Sequence, residues 1–241
     1  MLNGGFQAFK RKPLIGMIHL AGANGEKVKR ALHELEIFES EGLDGAIVEN
    51  YHGGRQDVIQ VLRLAKTKLV MGINILPNEF DLAFAYVGEY GARFIQLDYV
   101  AGCYDKAPRG IDFREYVMAR RRHPGVFVLG GVHPKYYEPF SDLREDLCEA
   151  KTRAEAVVVT GEGTGKETPL EKIKEFRRHL GSHPLIVGAG LTPQNAYAQL
   201  RIADGAIVGS SLKEDNDTQK PVDRHKVRDL VQAVKELRPY R

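Results

Sequence analysis

Polar side chains that can move protons stand at the ends of short apolar runs in this chain. His19 closes the run Leu14–His19, and Glu49-Asn50 closes Gly45–Asn50. Asn74 lies near the end of the third run, Leu69–Ile75, and Gln96 and Asp98 belong to the fourth, Arg93–Tyr99. The fifth, Val126–Val132, leads into His133-Pro134-Lys135. A carboxylate in such a place can act as a general base or as an oxygen ligand for a divalent cation. Two neighbouring carboxylates raise the pKa of one of them, which makes a proton donor near neutral pH. A histidine can shuttle protons, and a lysine can supply a cation or, when desolvated, a Schiff-base amine. The amides of Asn50, Asn74 and Gln96 can hydrogen-bond the hydroxyls of a substrate. Plain structural readings stand beside these: His19 as a satisfied buried group, Glu49 as half of an ion pair, Asn74 as a loop cap, Lys135 as a solvated charge.

The last two runs, Leu185–Ala189 and Ala206–Ser210, carry glycine at their ends. Bare backbone at Gly188, Gly190, Gly209 and Ser210, beside a helix that Thr192-Pro193 begins, suits a dianionic phosphate. Lys213 can neutralise the same anion, or it is an ordinary charge on a solvated helix. Thr160 ends the sixth run, Ala156–Thr160, and Gly161-Glu-Gly-Thr-Gly-Lys166 follows it. That loop reads as a lid or an anion-binding nest, without the spacing of a Walker A motif.

Such residues converge only if the strand ends converge. The eight apolar runs recur at intervals of roughly one βα unit. Helical faces fill the gaps: Val28, Ala31, Leu32, Leu35 and Phe38 within Lys27–Glu41; Phe80, Ala83, Phe84 and Val87 within Glu79–Tyr90; Ile173 and Phe176 within Leu170–Leu180. A last helix from Arg224 carries Val227, Leu230, Val231, Val234 and Leu237. The even-numbered runs share one shape, a small or turn residue before an apolar strand that ends polar or in glycine, as expected where alternate strands supply the interior layers of a barrel. The first run is followed by Ala21-Gly-Ala-Asn-Gly25, not by the G-x-G-x-x-G of an open dinucleotide-binding sheet. The expected fold is a single α/β domain, a (β/α)8 TIM barrel over residues 13–241, with a short N-terminal extension over 1–12. In that fold the loops after strands seven and eight hold phosphate, and polar residues at the carboxyl ends of strands do chemistry.

Composition narrows the partners. A net charge of +3, with 28% charged residues of both signs, gives no footprint for nucleic acid. The cluster Arg120, Arg121 and Arg122 suits the C-terminus of a helix. No apolar run approaches the length of a membrane span, and the start lacks the apolar region of a secretory signal. Only Cys103 and Cys148 are present, which argues against a structural disulfide and for a reducing, cytoplasmic setting. The expected partner is a phosphorylated small molecule, with self-association left open.

Several motifs occur in one fixed order: Ile15-Gly-Met-Ile-His-Leu20, Asp44-Gly-Ala-Ile-Val-Glu-Asn50, Gly72-Ile-Asn-Ile-Leu76, Val159-Thr-Gly161 with Thr164-Gly165, Val187-Gly-Ala-Gly-Leu-Thr192, and Ala203-Asp-Gly-Ala-Ile-Val-Gly-Ser210 with Lys213 and Pro221-Val-Asp223. This set, over about residues 13–235, resembles the BtpA/SgcQ family. The resemblance implies a branch of the phosphate-binding TIM barrels. Its namesakes imply two different roles, a factor for photosystem I accumulation and a sugar- or nucleoside-metabolising enzyme. The chain departs from the family pattern in the loop Ala21–Gly25 and at Gln96-Leu97-Asp98, where a carboxylate replaces an amide. The leading expectation is an enzyme with Glu49, Asp98 and His133 as acid/base groups and His19 beside them. Asn50, Asn74, Gln96, Lys135 and Thr160 would contact substrate; Gly188, Gly190, Gly209, Ser210 and Lys213 would hold its phosphate. Isomerase, lyase and glycosidic hydrolase chemistry all remain open, as do a divalent cation, a non-catalytic assembly factor and a regulatory binding barrel.

Overall fold

Period-two alternation in a strand sends neighbouring side chains to opposite faces. When both faces are covered, both sets are apolar. That is the pattern of the strands in the computed structural model, which describes residues 8–23, 25–105 and 111–239. Eight parallel strands close into a barrel: β1 (Leu14–Ile18), β2 (Gly45–Glu49), β3 (Val70–Asn74), β4 (Phe94–Leu97), β6 (Phe127–Gly131), β8 (Ala156–Val159), β9 (Leu185–Val187) and β10 (Gly205–Val208), with β1 paired to both β2 and β10. A short antiparallel pair, β5 (Tyr104–Asp105) and β7 (Glu138–Pro139), joins the loops that follow β4 and β6.

Two apolar layers result. Ile15, Met17, Ile47, Phe94, Phe127, Leu129, Ala156, Val158, Ile186 and Ile207 fill the barrel interior. Their strand neighbours, among them Leu14, Ile18, Val48, Val128, Val157, Leu185 and Val208, pack outward against the helices. Gly72 leaves room for the ring of Phe94 on the adjacent strand, where a Cβ would stand 2.2 Å from Cε2. Phe9 closes the N-terminal end of the barrel, edge-on to Phe94 and Phe127 at 6.2 and 5.9 Å between centroids. Arg11 pairs with Asp44, and Lys12 donates to the carbonyls of Leu200 and Ala203. Of the expected N-terminal extension, residues 1–7 lie outside the described residues.

The outer ring is α1 (Lys27–Glu41), α2 (Arg55–Leu64), α3 (Phe80–Tyr90), α4 (Phe113–Arg122), α5 (Leu143–Arg153), α6 (Leu170–Leu180), α7 (Pro193–Leu200) and α8 (Arg224–Ala233). α1 and α6 match the ranges read from their apolar faces. The last helix is shorter than expected: it ends at Ala233, and Lys235–Leu237 form a separate 3-10 turn. The arginines at the end of α4 occupy its last turn, and Arg120 is paired there with Glu155. Both cysteines are free and exposed. No described helix is long and apolar enough to cross a membrane.

Candidate active site

The inward parity of each strand continues past its end and builds a cup at the C-terminal mouth. His19 follows Met17, Glu49 follows Ile47, Gln96 and Asp98 follow Phe94, and Thr160 follows Val158. All of them line one cavity of about 270 Å³, together with Lys135, Gly188, Gly190, Gly209 and Ser210. Its floor is carboxylate and amide. Asn74 pairs across strands with Glu49 and donates from Nδ2 to Glu49 Oε1 at 2.8 Å. The hydroxyl of Tyr137 donates to Asp98 Oδ2 at 3.3 Å. His19 Nε2 lies 4.0 Å from Glu49 Oε2.

Electrostatics follow from this enclosure. Burial pushes Glu49 up to about 7, reinforced by the charge of Asp98 and opposed by Lys135 and the Asn74 amide. Burial also raises Asp98, against the Tyr137 hydroxyl, Lys135 and Asn74. His19 is held well below the usual imidazole value, first by burial and then by the nearby cations, Lys213 foremost. The floor is therefore a carboxyl that changes state near neutral pH beside a neutral imidazole. Three buried atoms here have no hydrogen-bond partner within the protein: His19 Nδ1, Asn74 Oδ1 and Gln96 Oε1. Buried polar atoms are nearly always satisfied, so such a cluster calls for a ligand or water.

The loops above the floor are tied together. Lys135 donates from its backbone to Thr160 Oγ1 at 2.8 Å and from Nζ to Thr164 Oγ1 at 3.1 Å. Thr164 also exchanges hydrogen bonds with the Tyr136 hydroxyl. Lys172 reaches up from α6 to the carbonyls of His133 and Thr160. On the opposite side, Ser211 donates to the Leu191 carbonyl, and the Asn195 amide accepts from the Thr192 N–H, capping α7. Gly190 has φ +65, and a Cβ there would stand 2.2 Å from the Lys166 carbonyl, so only glycine lets the loop after β8 pack against it.

Four expected residues do not line the cavity, and the N–H of Gly188, expected to hold phosphate, instead donates to the Val159 carbonyl at 2.8 Å. His133 does not line the cavity: its φ is +43, and the reversal turns its ring outward, where Nε2 meets Asp146 at 2.7 Å. Lys213 is buried in an ion pair with Glu34 at 3.2 Å, on the outer side of the turn after β10. Asn50 has the outward parity and clamps both backbone groups of Leu76. Asn74 acts on the cavity through Glu49. Conversely, Tyr51, Leu76, Pro77, Tyr136 and Tyr137 line the mouth and were not anticipated. Parity carried a signal for Tyr51, two residues after Glu49. Among the described residues no group of three His, Cys, Asp or Glu side chains is arranged to hold a metal ion.

A closed barrel with a polar cup at the carboxyl ends of its strands defines a TIM-barrel protein. The chain belongs to the BtpA family, which it matches over residues 10–236. It is 30% identical to an uncharacterised protein of Thermococcus kodakarensis, covering 95% of this chain and 98% of that one. It is 26% identical to the photosystem I biogenesis protein BtpA of Synechocystis, covering 96% and 91%. Among solved structures it is similar to N-(5'-phosphoribosyl)anthranilate isomerase from Pyrococcus furiosus, with a TM-score of 0.60, 17% identity, and 92% and 98% of the two chains covered. Thiamine phosphate pyrophosphorylase from the same organism gives 0.63, 14%, 95% and 98%. At these identities the structural likeness concerns the fold.

Proposed function

We propose that this protein is an enzyme acting on a phosphorylated small molecule, with Glu49 as the group that moves the proton. The observation that carries the reading is the floor of the cup, where the carboxyls of Glu49 and Asp98 line one cavity with His19 4.0 Å from Glu49, an enclosure that pushes Glu49 up to about 7. A group with that pKa is present in both protonation states near neutral pH, so it can take a proton and return it. Backbone at Gly190, Gly209 and Ser210, with the start of α7 alongside, would hold the phosphate. The reacting carbon or oxygen then lies over Glu49 and Asp98. Neutral His19 would orient or relay, and Lys135 would offset charge that develops on the substrate. Isomerisation or lyase cleavage beside a carbonyl uses this set most directly. The barrels with phosphate-ester names among the structural relatives support the phosphate end by analogy of fold.

The test is a panel of phosphorylated and unphosphorylated sugars, with and without an attached aromatic ring, screened by thermal shift and then by NMR for exchange of substrate hydrogens with deuterated solvent. Phosphorylated members should raise Tm, by the linkage of binding to folding, and at least one should exchange. Glu49→Gln should abolish exchange, and Asp98→Asn should slow it by about 10²–10⁴, with the Tm shift retained in both. Exchange that survives in both variants refutes the catalytic assignment. A non-catalytic role, of the kind named for the cyanobacterial relative, predicts no exchange with any member.

A further inference from the structure

The cup has a second character at its rim. Tyr51 is 44% exposed, yet it lines the cavity and its ring is not free to wander. It packs edge-on against His52 at 4.6 Å and tilts against His19 at 5.6 Å between centroids. His52 in turn is fixed by Thr218, 2.9 Å from its Nε2, and by Lys27 on its carbonyl. A held aromatic ring that lines a cavity and stays partly exposed offers a platform for stacking. Leu76 and Pro77 extend the same wall with carbon surface. Such a wall offers no hydrogen-bond partner to a hydroxyl laid against it, whereas a flat ring gains stacking contact over its whole face.

The platform adjoins the anion end. A methyl group at Gly209 would stand 2.9 Å from His19 Cε1, so the backbone after β10, the His19 ring and the Tyr51 ring follow one another along one side of the cup. Glu49 lies beside His19, at the middle of that path.

Resting on the phosphate reading above, we propose that the substrate is a phosphate ester bearing an aromatic or heteroaromatic ring. The ring stacks on Tyr51, the phosphate lies on the Gly209–Ser210 backbone, and the linking sugar or chain lies over Glu49. Nucleoside 5'-monophosphates are the simplest stable probes of that class, standing in for a ring-bearing sugar phosphate that presents a carbonyl over Glu49.

The test is isothermal titration of the full chain with four probes: adenosine 5'-monophosphate, cytidine 5'-monophosphate, ribose 5-phosphate and adenosine. At least one nucleotide should bind about tenfold or more tightly than ribose 5-phosphate, as expected for one stacked ring. Tyr51→Ala should bring the two into line while leaving ribose 5-phosphate unchanged, and Tyr51→Phe should keep the difference. The exposed position of Tyr51 makes both variants compatible with folding. Ribose 5-phosphate binding as tightly as both nucleotides overturns the ring inference and leaves the phosphate reading intact. Adenosine binding as tightly as its monophosphate overturns the phosphate reading. Silence from all four probes overturns both.

Discussion

The buried carboxyl at the centre of the cup makes a prediction about stability that needs no substrate. Glu49 titrates near 7 in the folded protein and near 4.5 when exposed. One pH unit between folded and unfolded values is worth about 1.4 kcal/mol, so keeping Glu49 ionised in the fold costs about 3 kcal/mol. The sign comes from proton counting. Between the two values the folded state holds more protons than the unfolded one, so stability contributed at this site falls as pH rises through that window. Below about pH 4.5 the cost vanishes, because both states are protonated. Glu49→Gln mimics the protonated group in shape and keeps an acceptor for the Asn74 amide. The variant should therefore match the parent near pH 4.5 and exceed it by about 3 kcal/mol at pH 8. For a domain of this size that is roughly 6–12 °C in Tm. Urea or thermal unfolding of both proteins from pH 4.5 to 8 checks it, and only the pH dependence of the difference matters. Asp98→Asn should flatten the parent's own slope, because the charge of Asp98 is the second cause of the shift. A difference between Glu49→Gln and the parent that stays constant across the range would refute the argument.

Further outcomes concern the supports of the cup. Lys213→Met leaves Glu34 with Arg30 and the Val222 N–H but without its buried cation, and should cost about 3 kcal/mol in urea unfolding, at the low end for a broken buried pair. Because Lys213 is also the leading charge that keeps His19 neutral, the same variant should raise the His19 pKa, read from the imidazole carbon proton by NMR. Phe9→Ala removes the ring that closes the N-terminal end of the barrel and should cost about 3–5 kcal/mol, with ligand binding at the opposite end unchanged.

How much of the fold and the cup was legible in the sequence depends on the range over which each feature is decided. Strand parity is local. Gln96 and Asp98, two residues apart, had to share a face, and Glu49 had to follow Ile47 inward. The glycines after the last two strands were equally local, and so were the faces of α1 and α6. These settled the barrel and most of the floor, because a period of two and a period of 3.6 are properties of the backbone itself.

The path of the chain beyond a strand end is not local. His133 has the parity of an inward residue, yet a positive φ at that residue sends its ring to Asp146 on α5. Lys213 sits beside the glycines in the chain, but its partner is Glu34, 179 residues away, and burial of both groups demands that pairing. Asn50 looked like a substrate contact and serves the backbone of Leu76 instead. Tyr136 and Tyr137 are held at the mouth by Thr164 and Asp98, contacts between separate loops, and the Tyr51 ring is fixed against His52. The pKa of Glu49 belongs wholly to the tertiary structure. A carboxyl on a strand end is ordinary until seven other strands remove its water and bring Asp98 beside it. The chain alone determined which residues face the barrel axis, since alternation is built into each strand. Which of them reach one another, and in what protonation state, was decided by closure of the barrel, because desolvation and long-range pairing exist only once distant segments have met.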